Sequence, residues 1–332
     1  MMKKLLSLVC CLLPMGAVAD VVEPETAQNP VSVEQIAGAV ALNEHMSFRS
    51  FEDRMFDEFI WNRHRNLNKA WLDVDYGMFY QNINDGKHTD GHRFSVAGGF
   101  DWQASNTLQL GVSGRVSHTM SKAGDSVQVE NVSIDVADTD IGLGAYLMKI
   151  MGEKTRLYGN AFLDLHVFDV DRTQNLVDRI DGDGTAFSLM SEWGLMHDVL
   201  NQYVVGNLYV RVGYNFGFDV KEKVAGHEYL RMQSDGYFVL TPGYSLIAQK
   251  RIYPSARFQV RPYASIGVEY DVFGAPNHAE YKFAVADEFI RYDIDIDPLW
   301  ANISGGVELL SARGVQFGIG YGRWMNSLMG VR

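Results

Sequence analysis

Apolar and polar residues alternate strictly in many short segments of this chain. In residues 70–80, for example, Leu72 and Val74 interleave with Asp73 and Asp75. Successive side chains of a β-strand point to opposite faces, so each segment has one apolar face and one face of charges and glycines. The pattern predicts an all-β fold, an antiparallel barrel of about 12 strands with lipid outside and a polar lumen inside.

Residues 1–19 have the form of a secretory signal peptide. Two lysines precede an apolar run, and small residues lead to a cleavage site after Ala19. Both cysteines of the chain, Cys10 and Cys11, lie inside this segment, so we expect an exported mature chain without disulfides.

The formal net charge is −12, and this acidity argues against nucleic acid as a partner. The sequence has no His-Glu-x-x-His helix, no Gly-x-Ser-x-Gly turn, no phosphate loop and no cysteine cluster after the leader. We therefore expect no cofactor and no enzymatic function.

The connections between strands alternate between long and short. The long polar ones are predicted at 82–91, 119–136, 169–184, 220–235 and 272–297. The others, which are mostly shorter, fall at 104–107, 149–154, 197–206, 248–257 and 310–314. A soluble β-sandwich would also alternate, but long loops on one rim and short turns on the other are typical of outer-membrane barrels. Aromatic residues near the strand ends also suit a membrane interface.

The residues before the first strand predict a helix. Residues 20–45 are expected to form a short stub and the start of that helix, ahead of an amphipathic stretch at 46–66 and the barrel at 67–332. Phe48, Phe51, Met55 and Phe59 recur at helical spacing, with charges between them. Such a helix could pass through the lumen or form a periplasmic appendage, and both alternatives stay open.

The polar faces of the predicted strands carry charges of both signs. We expect these residues to line the lumen: Asp73, Asp75, Arg93, Asp101, Arg115, Arg156, Asp164, Glu192, Arg211, Arg261, Glu269 and Glu308. Buried charges are tolerated when they are paired or hydrated. The set is consistent with a lumen filled by the helix, which we favour, and with a water-filled pore.

Few residues suggest catalysis. His166 and Asp164 share a strand face and could form an acid–base pair, as in an outer-membrane hydrolase. Hydrogen bonding inside the lumen explains His166 more simply. A second pairing of Ser113 or Ser117 with His118 fails, because His118 would face lipid or the rim.

Two acidic loops are weak candidates for calcium. Carboxylate oxygens are the ligands that Ca²⁺ prefers, but neither loop has the bidentate glutamate at the expected distance. A solvated surface loop is the simpler interpretation of both. The candidate ligands are Asp178, Asp181 and Asp183 in one loop and Asp293, Asp295 and Asp297 in the other.

Several late segments resemble the translocator domain of autotransporters, the type V secretion proteins of Gram-negative bacteria. They are Arg261-Pro262-Tyr263-Ala264 with Val268-Glu269-Tyr270, and residues 301–308 before Phe317-Gly318-Ile319-Gly320-Tyr321. The resemblance, which covers roughly residues 45–332, implies a barrel in the cell outer membrane with the helix inside its lumen. It also implies contact with outer-membrane lipid and lipopolysaccharide, and insertion by the barrel assembly machinery.

The expected role is therefore secretion or surface display of a short N-terminal segment. The alternatives are a small porin or an adhesin that meets host or cell surfaces through loops 169–184 and 272–297, with a hydrolase third. Two features depart from the family. Roughly 25 residues separate Asp20 from the helix, too few for a folded passenger. Residues 325–332, a plausible twelfth strand, lack the usual terminal aromatic residue.

Overall fold

A computed structural model describes residues 36, 39–40, 43, 69–83, 87–125, 132–174, 178–201, 203–224, 226–273, 278–293, 298–311 and 315–326. These contain the strands β1 (Lys69–Ile83), β2 (Lys87–Ser105), β3 (Leu108–Asp125), β4 (Val132–Ile150), β5 (Thr155–Gln174), β6 (Asp178–Asp198), β7 (Val204–Val224), β8 (His227–Gln233), β9 (Tyr237–Gln249), β10 (Ile252–Ser255), β11 (Phe258–Tyr270), β12 (His278–Phe283), β13 (Ile290–Asp293), β14 (Leu299–Ser311) and β15 (Val315–Met325).

Within the described residues, eleven strands close the barrel, in the order β1 to β7, then β9, β11, β14 and β15. Neighbours are antiparallel except at the closure, where β1 and β15 pair in parallel from Ala70–Val315 to Tyr80–Met325. When an odd number of strands alternates in direction, the first and the last strand are parallel. The predicted twelfth strand falls mostly outside the described residues, since β15 ends at Met325 and 327–332 are not among them.

The predicted long loops are wrong in extent, because strands run through most of them. β5 and β6 have 20 and 21 residues, whereas about 9–11 suffice to cross a bilayer. Toward the ends of the long hairpins the inward positions stay apolar, as at Val136 and Val170, while the outward positions become charged, as at Asp169 and Asp171. The outward charges suggested loops, but the buried inward residues keep the strands paired. Short strands likewise occupy parts of 220–235 and 272–297.

An apolar belt surrounds the barrel. Every closing strand exposes at least one large apolar side chain outward: Leu72, Phe94, Val112, Ile141, Leu163, Leu189, Leu208, Phe238, Ile266, Ile303 and Ile319. Exposed apolar surface on this scale marks contact with lipid or protein, and an outward belt around a closed barrel is typical of membrane-spanning barrels.

Among the described residues, no helix is both long and apolar enough to cross a bilayer.

Aromatic side chains inside the barrel pack over glycines directly opposite on the neighbouring strand. Tyr146 lies opposite Gly111, and Tyr158 lies opposite Gly194. A Cβ added at Gly111 would lie 2.2 Å from the Tyr146 ring, and one at Gly194 would lie 2.3 Å from the Tyr158 ring. Each glycine therefore provides the space that a ring occupies. The same pairing occurs between Trp71 and Gly99, Phe162 and Gly144, Tyr209 and Gly243, and Tyr263 and Gly306.

Candidate functional site

The candidate site is the lumen of the barrel. Side chains from strands that are not neighbours in the sheet meet there. Trp71 on β1, for example, donates a hydrogen bond of 2.9 Å to the hydroxyl of Tyr146 on β4. Contacts between non-neighbouring strands are possible only on the concave face of a closed sheet. Most of the charged residues predicted for the lumen are buried on that face: Arg93, Asp101, Arg115, Arg156, Asp164, Glu192, Arg211, Arg261, Glu269 and Glu308. Asp73 and Asp75 are half-buried on β1.

Ion pairs link strands across the middle of the lumen. Arg211 donates a hydrogen bond of 2.9 Å to Glu192, and its other terminal nitrogen lies 3.5 Å from Glu269. Glu269 also accepts a hydrogen bond of 2.6 Å from Tyr209. Such charge-assisted bonds offset the cost of burying each ion, so the interior charges hold the wall together.

Two further arginines continue the pattern. Arg261 contacts both carboxylate oxygens of Glu308 and donates a hydrogen bond of 3.0 Å to Gln249. Arg156 instead donates to two backbone oxygens, those of Gly152 at 2.8 Å and Thr155 at 3.1 Å, beside a short turn. The predicted luminal set thus comprises central ion pairs and at least one arginine that supports a turn.

Above the lipid belt, apolar side chains line the lumen in place of charged ones. An apolar collar lines this outer end of the barrel, with one buried ion pair beside it, Arg172 to Glu222 at 2.7 Å. Burial raises the pKa of the Glu222 carboxyl, and the Arg172 guanidinium opposes that shift. The collar consists of Ile134, Val136, Phe168, Val170, Ala186, Phe218, Val220, Leu230, Met232, Ala279 and Tyr281. Sequence reasoning missed the collar because it assigned most of these positions to loops.

The collar holds residues from before the barrel. Ile36, Ala39 and Val40 are helical and fully buried, and they pack in the same cluster as the collar. Asn43, also helical and buried, donates from its amide to the carbonyl oxygen of Val136 at 3.4 Å. These four positions recur at i, i+3, i+4 and i+7, so they form one face of a helix. They fall in residues 20–45, the predicted stub and start of the helix. The predicted luminal helix at 46–66 lies outside the described residues.

His166 contacts partners that the sequence did not indicate. Its Nδ1 lies 2.9 Å from Asp138 on β4, and its Nε2 lies 3.2 Å from the Ser188 hydroxyl on β6. Asp164, the partner considered from sequence, instead accepts a hydrogen bond of 2.7 Å from Arg115. Strand register decides which acid meets His166, and alternation within one strand does not specify register.

The arrangement of Asp138, His166 and Ser188 resembles a nucleophilic triad in its order of contacts. Ser188 is fully buried, however, and a serine nucleophile needs a substrate carbonyl at its hydroxyl. As expected from alternation, Ser117 and His118 point to opposite faces of β3. Ser117 is buried inside and donates to Asp140, whereas His118 is exposed on the outer face beside Thr139.

The described calcium candidates lie on β6 and β13. Asp181 and Asp183 are exposed on the outer face of β6, where Asp183 lies 2.5 Å from the Lys223 ammonium. Asp178 begins β6, and Asp293 ends β13 with an exposed side chain. The last two candidates, Asp295 and Asp297, lie outside the described residues.

Comparison with known proteins identifies the family. The sequence matches the model of the autotransporter beta-domain over residues 70–322. No curated protein matches the chain.

Among solved structures, the chain is similar to the translocator domain of the autotransporter NalP from Neisseria meningitidis. The identity is 12% and the TM-score 0.49, over 84% of this chain and 93% of that one. The transport unit of AIDA-I from Escherichia coli is 14% identical, with a TM-score of 0.48 over 82% and 87% of the two chains. The beta domain of the Bordetella autotransporter Brka is 12% identical, with a TM-score of 0.46 over 77% and 90%. From the family match over most of its length, the chain belongs to the autotransporter beta-domain family and is an outer-membrane translocator barrel.

Proposed function

We propose that this barrel secretes or displays an N-terminal segment of its own chain, and that the same segment fills the lumen at rest. The burial of Ile36, Ala39 and Val40 in the apolar collar carries this proposal. Full burial of an isoleucine and a valine side chain contributes roughly 3–6 kcal/mol together, as an upper estimate. This burial favours the docked position of the segment.

The two ends of the connecting chain support a path through the barrel. Asn43 contacts Val136 at the rim that carries the long hairpins. Lys69, where β1 starts, pairs with Asp101 near the short turn at the opposite rim. Residues 44–68 therefore have to link the two rims. Our proposal routes them through the lumen, where charges of both signs could pair with the charged residues of 46–66.

The family and the signal sequence support a route of export and a set of partners for the barrel. Cleavage after Ala19 would release the mature chain in the periplasm, and the barrel assembly machinery would insert it into the outer membrane. The apolar belt would contact lipid, and the charged strand ends above it would meet lipopolysaccharide. Translocation through a barrel needs no catalytic residue or cofactor, and we propose none for this role.

Conductance in planar bilayers tests the resting state. The mature chain is compared with Val40→Asp, which places a charge in the apolar collar, and with a variant that lacks residues 20–66. We expect the wild type to conduct little and both variants to conduct several-fold more. Ser105→Asp, at an exposed turn on the opposite rim, adds the same charge and should leave conductance unchanged.

The porin alternative makes the opposite prediction. A wild-type channel as conductive as the variant without residues 20–66 would reject a filled lumen. Display is tested separately, with an epitope tag inserted after Asp20 and labelled on intact cells. An inaccessible tag in a correctly inserted barrel would contradict display.

A further inference from the structure

Three donor side chains converge in the wall of the barrel just below the apolar collar. Asp138 and Asp140 are two residues apart on β4, so they share a face, and His166 lies on β5 opposite Asp140. One donor atom from each residue lies within 4.8 Å of the other two, and each residue is at most 1% exposed. Two donors on one strand and one on its neighbour thus face a common point.

Two carboxylate oxygens of this cluster, Asp138 Oδ1 and Asp140 Oδ1, have no hydrogen-bond partner in the described structure. Asp138 Oδ2 contacts His166, but Asp138 Oδ1 is buried and accepts no hydrogen bond. The nearby Arg115 lies 2.7 Å from Asp164 through Nη2 and 3.4 Å from Asp140 Oδ1 through Nε. A buried acceptor left unsatisfied costs about 1–3 kcal/mol, and more when it is charged. A cation bound at Asp138 Oδ1 would remove this cost.

The residues around the cluster already make the supporting contacts of a metal site. A histidine that binds a metal usually donates its other ring N–H to a neighbour, and the binding carboxylates are themselves hydrogen-bonded. With its proton on Nε2, His166 donates to the Ser188 hydroxyl on β6 at 3.2 Å. Ser117 on β3 donates to Asp140 Oδ2. Both serines are buried, so these contacts are protected from water.

We propose that Asp138, Asp140 and His166 bind one divalent transition-metal ion of the zinc or manganese class. One imidazole nitrogen and two carboxylate oxygens form a donor set that these ions accept. Bonds of about 2.0–2.2 Å would draw the three donors together and replace the Asp138–His166 contact with two metal–ligand bonds. The two carboxylates balance the charge of the ion, while Arg115 stays with Asp164.

The ion would stabilise the wall where the N-terminal segment docks. Asp138 is two residues from Val136, whose carbonyl accepts the Asn43 amide. The supporting contacts bring in β3 and β6, so a bound ion would link four consecutive strands at this level.

Metal binding to the folded mature chain tests the proposal. The protein is refolded in detergent, stripped with a chelator and dialysed against Zn²⁺ or Mn²⁺, and bound metal is counted by mass spectrometry. We expect about one ion per chain and a higher Tm with metal than without. Asp138→Asn and His166→Asn should each weaken binding by roughly 100-fold or more, and Ser117→Ala by roughly tenfold.

Two outer-face substitutions provide the matched control. His118→Asn and Asp183→Asn remove an imidazole and a carboxylate that are exposed outside the barrel, and binding should not change. Heat-modifiable gel migration shows whether each variant is folded. Should Asp138→Asn fail to fold, His166→Asn and Ser117→Ala carry the comparison. The proposal is overturned if the folded wild type binds neither ion, or if binding survives in the folded Asp138→Asn and His166→Asn variants.

Discussion

The indole nitrogen of Trp71 donates a hydrogen bond of 2.9 Å to the hydroxyl of Tyr146, with ring centroids 6.5 Å apart. The bond joins the first strand to the fourth inside the lumen. Tyr146→Phe removes the acceptor and should destabilise the barrel by about 1–3 kcal/mol, because the buried indole N–H loses this partner. Urea unfolding in detergent measures the change.

A double-mutant cycle isolates this contact from the packing of the two rings. If Trp71→Phe and Tyr146→Phe have additive effects in the double variant, the hydrogen bond contributes nothing and the prediction is wrong. We expect the double variant to lose less free energy of unfolding than the sum of the single variants.

Gly194 is predicted to tolerate no side chain. Gly194→Ala would place a Cβ 2.3 Å from the Tyr158 ring, so the ring or the strand must move, and the folded fraction should fall. Gly152, with no atom within 4 Å of an added Cβ, provides the matched control, and Gly152→Ala should fold normally. Heat-modifiable migration quantifies folding in both. Equal folding of the two variants would argue against the ring-over-glycine packing.

Arg211 is predicted to be the most costly charge to remove from the lumen. Arg211→Met leaves the buried Glu192 and Glu269 without this guanidinium, and loss of one member of a buried ion pair costs about 3–5 kcal/mol. Arg257→Met, at an exposed position, is the control and should change the free energy of unfolding little. A similar small loss for both variants would indicate that water hydrates these glutamates in the lumen.

Glu222 should give the unfolding free energy a pH dependence. It lies above the lipid belt, and burial raises its pKa in the folded state above the ordinary value of 4.5. Between those two values the folded protein holds more protons than the unfolded chain, so stability rises as the pH falls. The added stability is fully present once the pH falls below the ordinary pKa of 4.5.

Urea unfolding at a series of pH values checks this. Glu222→Gln cannot ionise and should flatten the profile, whereas Glu228→Gln, at an exposed position on β8, should leave it unchanged. A profile that Glu222→Gln does not alter would show that other groups cause the dependence.

Alternation along single strands was enough to predict the barrel, the outward belt at residues such as Leu72 and Ile141, and which charges lie on the polar faces. It could not predict the partners of those charges. His166 meets Asp138 because of the register between β4 and β5, and register depends on turn geometry and on the whole sheet.

The apolar collar also could not be predicted from the strands taken one at a time. Val136 and Val170 alternate with charged or small residues, as a strand does, but their outward neighbours resemble those of a loop. Val136 and Val170 are apolar because Ile36 and Val40 are buried against the collar. That contact joins residues about a hundred positions apart in the sequence, so single strands do not reveal it.

The parallel closure of β1 and β15 has a consequence for protein engineering. Because these strands run in the same direction, Lys69 begins at one rim and Met325 ends at the other, next to Tyr80. In a barrel with an even strand count a few residues could join the two ends and allow circular permutation. Here any such bridge must span the thickness of the bilayer, about 30 Å, so permuted variants would need a long linker or an additional strand.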